Sequence, residues 1–356
     1  LAKPEAVTGS KNVLSIALEL QMGGIPLTRC QFLIPFIEVL NETGAPTEGL
    51  LDKFCLPTSV VEKAHLFIPI LPTIQFVEVA QRAQGIPDIG FLAARQMELC
   101  HLSPRMLSAL AHAPTLFAAL QQVCKLASYE DTNLRVWLEP HGDHIRICNR
   151  LTGTTGLPNL EHSQWLQLIF PIHIVRHYVG ARWHPTTIAF ESGYTPGRET
   201  RALWPNSRFL SGQPASWIDV PMSYLSLPSP GEVPPPAENT HEDDPASHEM
   251  IMSLKRMLPA YLDQGPPSLG EAAEIAGLSS RSFQRKLATA GISYSDLVDA
   301  ARYENASRLL RDTQVKVIDI ALSSGYSDHA HFTRAFRRMT GVTPRQFRRQ
   351  TRLTEV

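Results

Sequence analysis

The feature that most constrains this chain is a pattern that occurs twice near its C-terminal end. An apolar helix runs into a glycine, one apolar residue follows, a polar residue caps a second helix, and that helix carries an inward pair four residues apart. In the first copy Ser268 and Glu271 have the spacing of a capping box, in which each side chain satisfies a backbone N–H of the other's residue. Ala272, Ala273, Ile275 and Ala276 are its apolar positions, and Gly277 ends the helix as a left-handed residue would. Leu278 fills the turn, Ser279 or Ser280 caps the next helix, and Phe283 and Leu287 face inward. In the second copy Val317, Ile318, Ile320, Ala321 and Leu322 form the apolar helix and Gly325 stops it. Tyr326 takes the place of Leu278, Ser327 caps a helix predicted over Asp328–Thr340, and Phe332 and Phe336 are the inward pair. The two units cover about residues 268–291 and 316–340, and Tyr294–Arg311 between them reads as one amphipathic spacer helix. Thr343 and Pro344 then open a short helix carrying Arg345, Arg348 and Arg349.

A tight glycine-containing turn between two helices, the second with a basic, amide-bearing face, is the helix-turn-helix layout. Its outward residues suit DNA. Arg and Gln near the start of a helix in the major groove reach guanine and adenine edges in bidentate fashion. Ser and Thr hydroxyls, helix N-termini and flanking Arg hold phosphates. The predicted DNA-contacting set is Arg281, Ser282, Gln284 and Arg285 in the first unit, and His329, His331, Thr333, Arg334 and Arg338 in the second. His329 and His331 have a competing local role in capping and packing, but their place at the helix start favours contact. Two such helices on one rigid spacer can enter successive major-groove faces about 34 Å apart.

Charge divides the chain in the same place. Residues 249–356 carry a net charge of +5 and residues 1–248 carry −6, so the C-terminal part is the one suited to a polyanion. A chain of 356 residues is too long for one ordinary core. The boundary falls at Ser226–His248, SLPSPGEVPPPAENTHEDDPASH, where prolines and an acidic cluster leave little to bury. This divides the chain into residues 1–225, an effector-sensing and dimerisation domain, a Pro-rich acidic linker at 226–248, and a DNA-binding domain at 249–356. Upstream, Phe32, Leu33, Phe36, Ile37 and Leu40 recur at helical spacing despite Pro35, as do Ile74, Val77 and the stretch Leu116–Leu126. Leu134, Val136 and Leu138, then Ile145 and Ile147, alternate with polar residues around turn chemistry at Glu139–Asp143, which predicts a β-hairpin. Trp165–Val179 reads as helix, Thr186–Phe190 as strand and Ala215–Val220 as a weaker strand. The expected fold class is α+β and mostly helical, with a mixed N-terminal domain ahead of an all-α tandem helix-turn-helix domain. The many short, even strands of a cupin barrel are absent from the pattern.

The stretch Ile318–Phe347, IDIALSSGYSDHAHFTRAFRRMTGVTPRQF, resembles the signature of the AraC/XylS family of bacterial transcription regulators. The first unit, SLGEAAEIAGLSSRSFQRKLATAGISY, resembles a variant found in members with larger N-terminal domains. More loosely, GIPLTRCQFLIPFIEVLNETG and ALWPNSRFLSGQPASWIDVPMSYLSLPSP resemble the arabinose-binding type of effector domain in the ornithine-utilisation and virulence regulators of that family. The resemblance implies a transcription regulator that binds double-stranded promoter DNA and senses a small-molecule effector, with a homodimer as a further expectation; the two-part architecture with its linker adds the expectation of an activator that recruits RNA polymerase.

The rival reading is an enzyme or metal-sensing domain carrying a helix-turn-helix tail. The sequence holds no G-x-S-x-G, H-E-x-x-H, P-loop or G-x-G-x-x-G pattern, so no catalytic residue or cofactor is expected. The five cysteines, Cys30, Cys55, Cys100, Cys124 and Cys148, are scattered without a C-x-x-C pair and read mostly as buried apolar residues. His173 and His177 have metal-ligand spacing on a helix, with His141 and His144 as distant candidates for completing a site. A structural pair is the favoured reading and no metal is expected. Trp165, Trp183, Trp204 and Trp217 serve either an effector pocket or, by default, the core. No apolar run has the length of a membrane span and no signal-peptide layout is visible, so the expected compartment is the cytoplasm. The fragment 249–356 is expected to bind DNA without the rest of the chain, measurable by fluorescence anisotropy; a folded fragment with no affinity would assign essential contacts to the N-terminal part.

Overall fold

Alternating and helical apolar periods sort this chain into a sheet dressed with helices and then into helices alone. The computed structural model describes residues 24–154, 157, 160–231 and 250–353. Strand β1 (Leu27–Arg29) pairs antiparallel with β2 (Phe67–Pro69), and helices α1 (Ile34–Glu42) and α2 (Thr47–Lys53) lie between them in sequence. Pro35 sits in the first turn of α1, where its missing N–H has no intrahelical partner to lose, so the helix forms around it. Next come α3 (Ile70–Gln84), α4 (Ile89–Ala94), α5 (Pro104–Ala111) and α6 (Leu116–Leu126). The side chains of Ser103 and Thr115 cap α5 and α6 by accepting from the N–H groups of Met106 and Ala118.

The predicted hairpin is β3 (Leu134–His141) against β4 (His144–Leu151). Its turn is narrower than the polar run suggested, because pairing continues to His141 opposite His144 and leaves only Gly142 and Asp143 between. After the helix α7 (Glu161–Val179) come β5 (Thr187–Ala189), α8 (Arg198–Leu203), β6 (Arg208–Leu210) and β7 (Ser216–Pro221). The sheet order is β3-β4-β7-β5-β6. The weakest strand in the sequence, Ala215–Val220, is thus the central one, and its alternation is masked because both faces are covered. The remaining elements are helical: α9 (Met250–Met257), α10 (Leu269–Ile275), α11 (Ser280–Thr289), α12 (Tyr294–Asp312), α13 (Val317–Ser323), α14 (His329–Thr340) and α15 (Pro344–Leu353).

Trp165 is fully buried at the centre of an aromatic group with Phe91, Phe190, Tyr194, Trp204 and Phe209. Cys30 and Cys148 are buried as expected, but Cys55 and Cys124 are half-buried and Cys100 is exposed. His173 bonds the backbone of Met97, and His144 bonds Asp143 at 2.7 Å; no group of three metal-ligating residues occurs among the described residues.

The predicted linker does not begin where the sequence turns Pro-rich. Leu116 donates its N–H to the carbonyl of Leu227 and Ser229 to that of Pro114, each at 3.1 Å, so this stretch stays on the N-terminal sheet-and-helix unit. Pro234–Pro236 and the acidic cluster lie outside the described residues. Across this boundary the apolar core is continuous. Leu254, Met257 and Tyr261 belong to the same buried cluster as Leu27, Phe36 and Ile68. Around that seam Lys63 Nζ donates to the Ala260 carbonyl at 2.7 Å and pairs with Asp263, and Ser59 donates to Asp263 at 3.0 Å. The Thr58 N–H donates to Gln264 at 2.9 Å, and the guanidinium of Arg256 stacks 4.2 Å above the Phe67 ring.

Behind β1 lies a buried ion pair. Arg29 donates to Glu130 at 2.9 Å and to the carbonyl of His101 at 3.0 Å, and the other Glu130 oxygen accepts the Ser103 N–H at 2.9 Å. Next to it, between α1, α3, α6 and α7, the core leaves a cavity of about 80 Å³ whose walls include Phe36, Ile74, Val77, Val123 and Phe170. None of the four tryptophans weighed as pocket residues lines it. Asp131 does line it, and burial pushes its carboxyl up to about 7. Removing one member of a buried pair leaves an uncompensated charge, which destabilises by about 3–5 kcal/mol. Glu130→Gln is therefore expected to lower the unfolding midpoint in urea by a corresponding amount, whereas an effect below about 1 kcal/mol would mean that Arg29 finds another partner.

Candidate nucleic-acid interface

Each helix-turn-helix unit is built from local signals that the structure satisfies. Ser268 and Glu271 form the capping box reciprocally, and the Ser268 backbone N–H holds the Glu271 carboxyl below its usual range. At the turn Gly277 has φ 65° and Leu278 donates back to the Ala273 carbonyl at 2.9 Å. Ser279 is the cap of α11, accepting from the Ser282 N–H at 3.3 Å. Phe283 and Leu287 are buried, and Phe283 meets the edge of Tyr294 with ring centres 5.9 Å apart. Tyr294 itself donates to the Pro267 carbonyl at 2.7 Å, which ties the spacer helix α12 to the start of the unit.

The second unit repeats this geometry. Gly325 has φ 78°, and Tyr326 donates to the Ala321 carbonyl at 3.0 Å, as Leu278 does to that of Ala273. The cap differs from the predicted one: Asp328, not Ser327, caps α14, which begins at His329. The Asp328 carboxylate accepts the His331 N–H at 2.7 Å, and that bond holds it below its usual range. Phe332 and Phe336 are buried and touch each other, Tyr326 and Phe347. Ile318 and Leu322, expected in this core, are each 51% exposed, because α13 turns only Ile320 and Ala321 fully inward. The spacer α12 reaches both units: Asn305 donates to the Ser323 carbonyl and to the Ser324 hydroxyl, both at 3.2 Å.

The predicted contact residues are not all alike. Arg281, Gln284 and Arg285 are exposed and stand at i, i+3 and i+4, one face of α11 opposite Phe283 and Leu287. Ser282 is half-buried and already engaged, with its hydroxyl 3.1 Å from that of Ser279. On α14, Arg334 and Arg338 share an exposed face, while His331 is exposed with its ring edge against Tyr326 at 5.5 Å. His329 and Thr333 are half-buried at the flank, and the Thr333 hydroxyl oxygen is withdrawn from solvent. Arg337, absent from the predicted set, is exposed three residues after Arg334; its i+3 spacing was the available signal. Arg348 is drawn the other way, donating to the carbonyls of Leu310 and Val315 at 3.4 and 2.7 Å.

Two capped second helices, α11 and α14, bridged by one helix and with arginines on their outer faces, define a tandem helix-turn-helix DNA-binding protein. A helix-turn-helix domain model matches residues 272–350, and the model for the N-terminal arabinose-binding domain of AraC transcription regulators matches residues 44–229, more than half of the chain. The chain belongs to the AraC family of transcription regulators. It is similar to the HTH-type transcriptional regulator VirS of Mycobacterium tuberculosis, 24% identical over 90% of this chain and 96% of that one. It is also similar to the ornithine utilization regulator of Pseudomonas aeruginosa, 30% identical over 38% of this chain and 42% of that one. The solved structure of the transcriptional regulator CdpR from Pseudomonas aeruginosa aligns with 85% of this chain and 96% of its own at 17% identity and a TM-score of 0.35. No described helix is long and apolar enough to cross a membrane.

A methyl group on Gly325 would lie 2.3 Å from the Leu262 carbonyl oxygen, and the positive φ adds strain for any L side chain. Gly325→Ala is expected to destabilise by about 1–3 kcal/mol and to weaken DNA binding more than Gly341→Ala, whose site is open. Thermal unfolding and anisotropy of the two variants compare them directly; equal behaviour would mean that the turn shifts freely.

Proposed function

We propose that Arg281, Gln284 and Arg285 on α11 read base edges in the major groove of promoter DNA, with Ser282 supporting the helix start. Arg334, with His329, His331 and Thr333, engages the neighbouring groove face, and Arg338 holds phosphate. The observation that carries this reading is the face of α11, where two arginines and an amide stand exposed opposite a fully buried Phe283 and Leu287. Residues 249–356 act as the DNA-binding domain, the N-terminal unit with its tail through Ser229 as the effector-sensing and dimerising part, and the residues between as the connection. A small molecule held by the N-terminal part changes how the reading helices are presented, and the DNA-bound protein recruits RNA polymerase as an activator, with no catalytic step of its own. The contacts from Thr58, Ser59, Lys63 and Phe67 to residues 256–264 support such coupling, because β2 and its approach touch the DNA-binding part directly. A change in coupling still requires a ligand with different affinity for two states.

Arg285→Ala and Gln284→Ala are each expected to weaken specific binding by about 1–3 kcal/mol and to relax preference at one base position. Arg338→Ala is expected to weaken binding to all sequences alike and to lower the salt slope by about one counterion. Selection from random-sequence DNA, followed by affinity titrations across salt, separates the two. Unchanged base preference in the first pair would remove α11 as the reading helix.

A further inference from the structure

The cavity beside the Arg29–Glu130 pair has walls that specify a ligand. We propose that it binds a small apolar molecule bearing one protonated primary amine, with the ammonium on the Asp131 carboxylate and the hydrocarbon among Phe36, Ile74, Val77, Val123 and Phe170. This deepens the effector reading above and rests on it for its regulatory meaning.

Size comes first. A site for one water needs about 10–15 Å³ of room. A cavity of about 80 Å³ therefore holds the equivalent of about six waters, or on the order of 180 Å³ of liquid. That suits a six- to eight-carbon chain or a single ring with a short arm. The walls are overwhelmingly apolar. A sugar of the same size carries a hydroxyl on nearly every carbon, and burying these without partners costs on the order of 1–3 kcal/mol each. The mostly apolar wall thus favours a hydrocarbon over a sugar in spite of the domain's family name.

The polar end decides the head group. Both Glu130 oxygens are taken, one by Arg29 Nη1 and the other by the Ser103 N–H, and the same Nη1 also donates to the His101 carbonyl. Asp131 is 8% exposed, bonds Thr28 through its side chain, and keeps Oδ1 without a hydrogen-bond partner. Thr73, which shares the wall with Ser163 and Gln167, donates its hydroxyl to the Pro69 carbonyl at 2.8 Å, so it has only acceptor capacity left. Two carboxyls beside one guanidinium repel an anion, and an orphaned carboxylate oxygen calls for a donor. An alkylammonium supplies both the charge and the N–H groups, and its arrival would restore the ionised form that burial disfavours.

The test uses the full chain and calorimetric titration with n-butylamine to n-octylamine, benzylamine and phenethylamine. The comparison ligands are n-heptanol, heptanoate and L-arabinose. At least one amine is expected to bind tenfold or more tighter than all three comparison ligands. Asp131→Asn keeps the shape and removes the charge; it is expected to weaken that amine at least tenfold and to leave heptanol within twofold. Val77→Trp, which fills the space, is expected to abolish both. Failure of every amine, preference for heptanoate or arabinose, or an amine affinity unchanged in Asp131→Asn would each overturn the proposal. Anisotropy with the DNA recovered by site selection, run on the same samples, keeps the two readings apart. Lost amine binding with intact DNA binding removes this site alone. Amine binding that depends on Asp131 but leaves DNA affinity unchanged upholds the site and removes the effector coupling.

Discussion

The Arg29–Glu130 ion pair holds together the part of the molecule where its elements converge. Arg29 sits on β1, Glu130 follows α6, and between them the pair also gathers the His101 carbonyl and the N–H of Ser103, the cap of α5. Both side chains are almost entirely buried, at 7% and 5% exposure, so neither charge can be compensated by water. Such a pair adds little net stability over apolar packing, but it penalises any arrangement that separates its members. It therefore acts chiefly by specifying where β1 lies against the helices. The placement of β1 in turn fixes β2 through three paired residues, and β2 carries Phe67 to the edge of the DNA-binding part.

That chain of contacts gives the two helix-turn-helix units different surroundings. The core of the first, with Phe283, Leu287 and Leu297, is continuous with the buried residues of the N-terminal part through Leu254, Met257 and Tyr261. The second has a small core of its own around Phe332 and Phe336. It meets the rest through α12 and through the close approach of Gly325 to the Leu262 carbonyl. A change in the N-terminal part reaches the first unit through shared packing and the second through a helix and one backbone contact. Packed cores tend to switch between discrete arrangements and resist continuous deformation. The first unit is for that reason the more directly coupled of the two to the N-terminal part.

Much of the DNA-binding part was legible because its determinants are local. Ser268 and Glu271, Gly277 and Gly325, and the pairs Phe283–Leu287 and Phe332–Phe336 act within one or two turns of chain, and each took its expected place. Two of the departures there were also local. Asp328 displaced Ser327 as the cap because a carboxylate next to the helix start accepts the His331 N–H more strongly than a hydroxyl. Ile318 and Leu322 fit an apolar helix by period, yet a seven-residue helix packed on one side can turn only part of its apolar residues inward.

The sequence by itself determined the helices, the hairpin, the turns ahead of α11 and α14 and the exposed arginines of α11, because capping, periodicity and left-handed glycines act over a few residues. Only the tertiary structure decided that Ala215–Val220 would be a central strand, and that Asp131 would stand at a cavity. It also decided that the DNA-binding part would share its core with the domain before it. Arg29 and Glu130 are 101 residues apart, and Lys63 and Ala260 are 197 apart. Contacts over such separations depend on burial and charge compensation once the whole chain has packed, and no local pattern encodes which partners will meet.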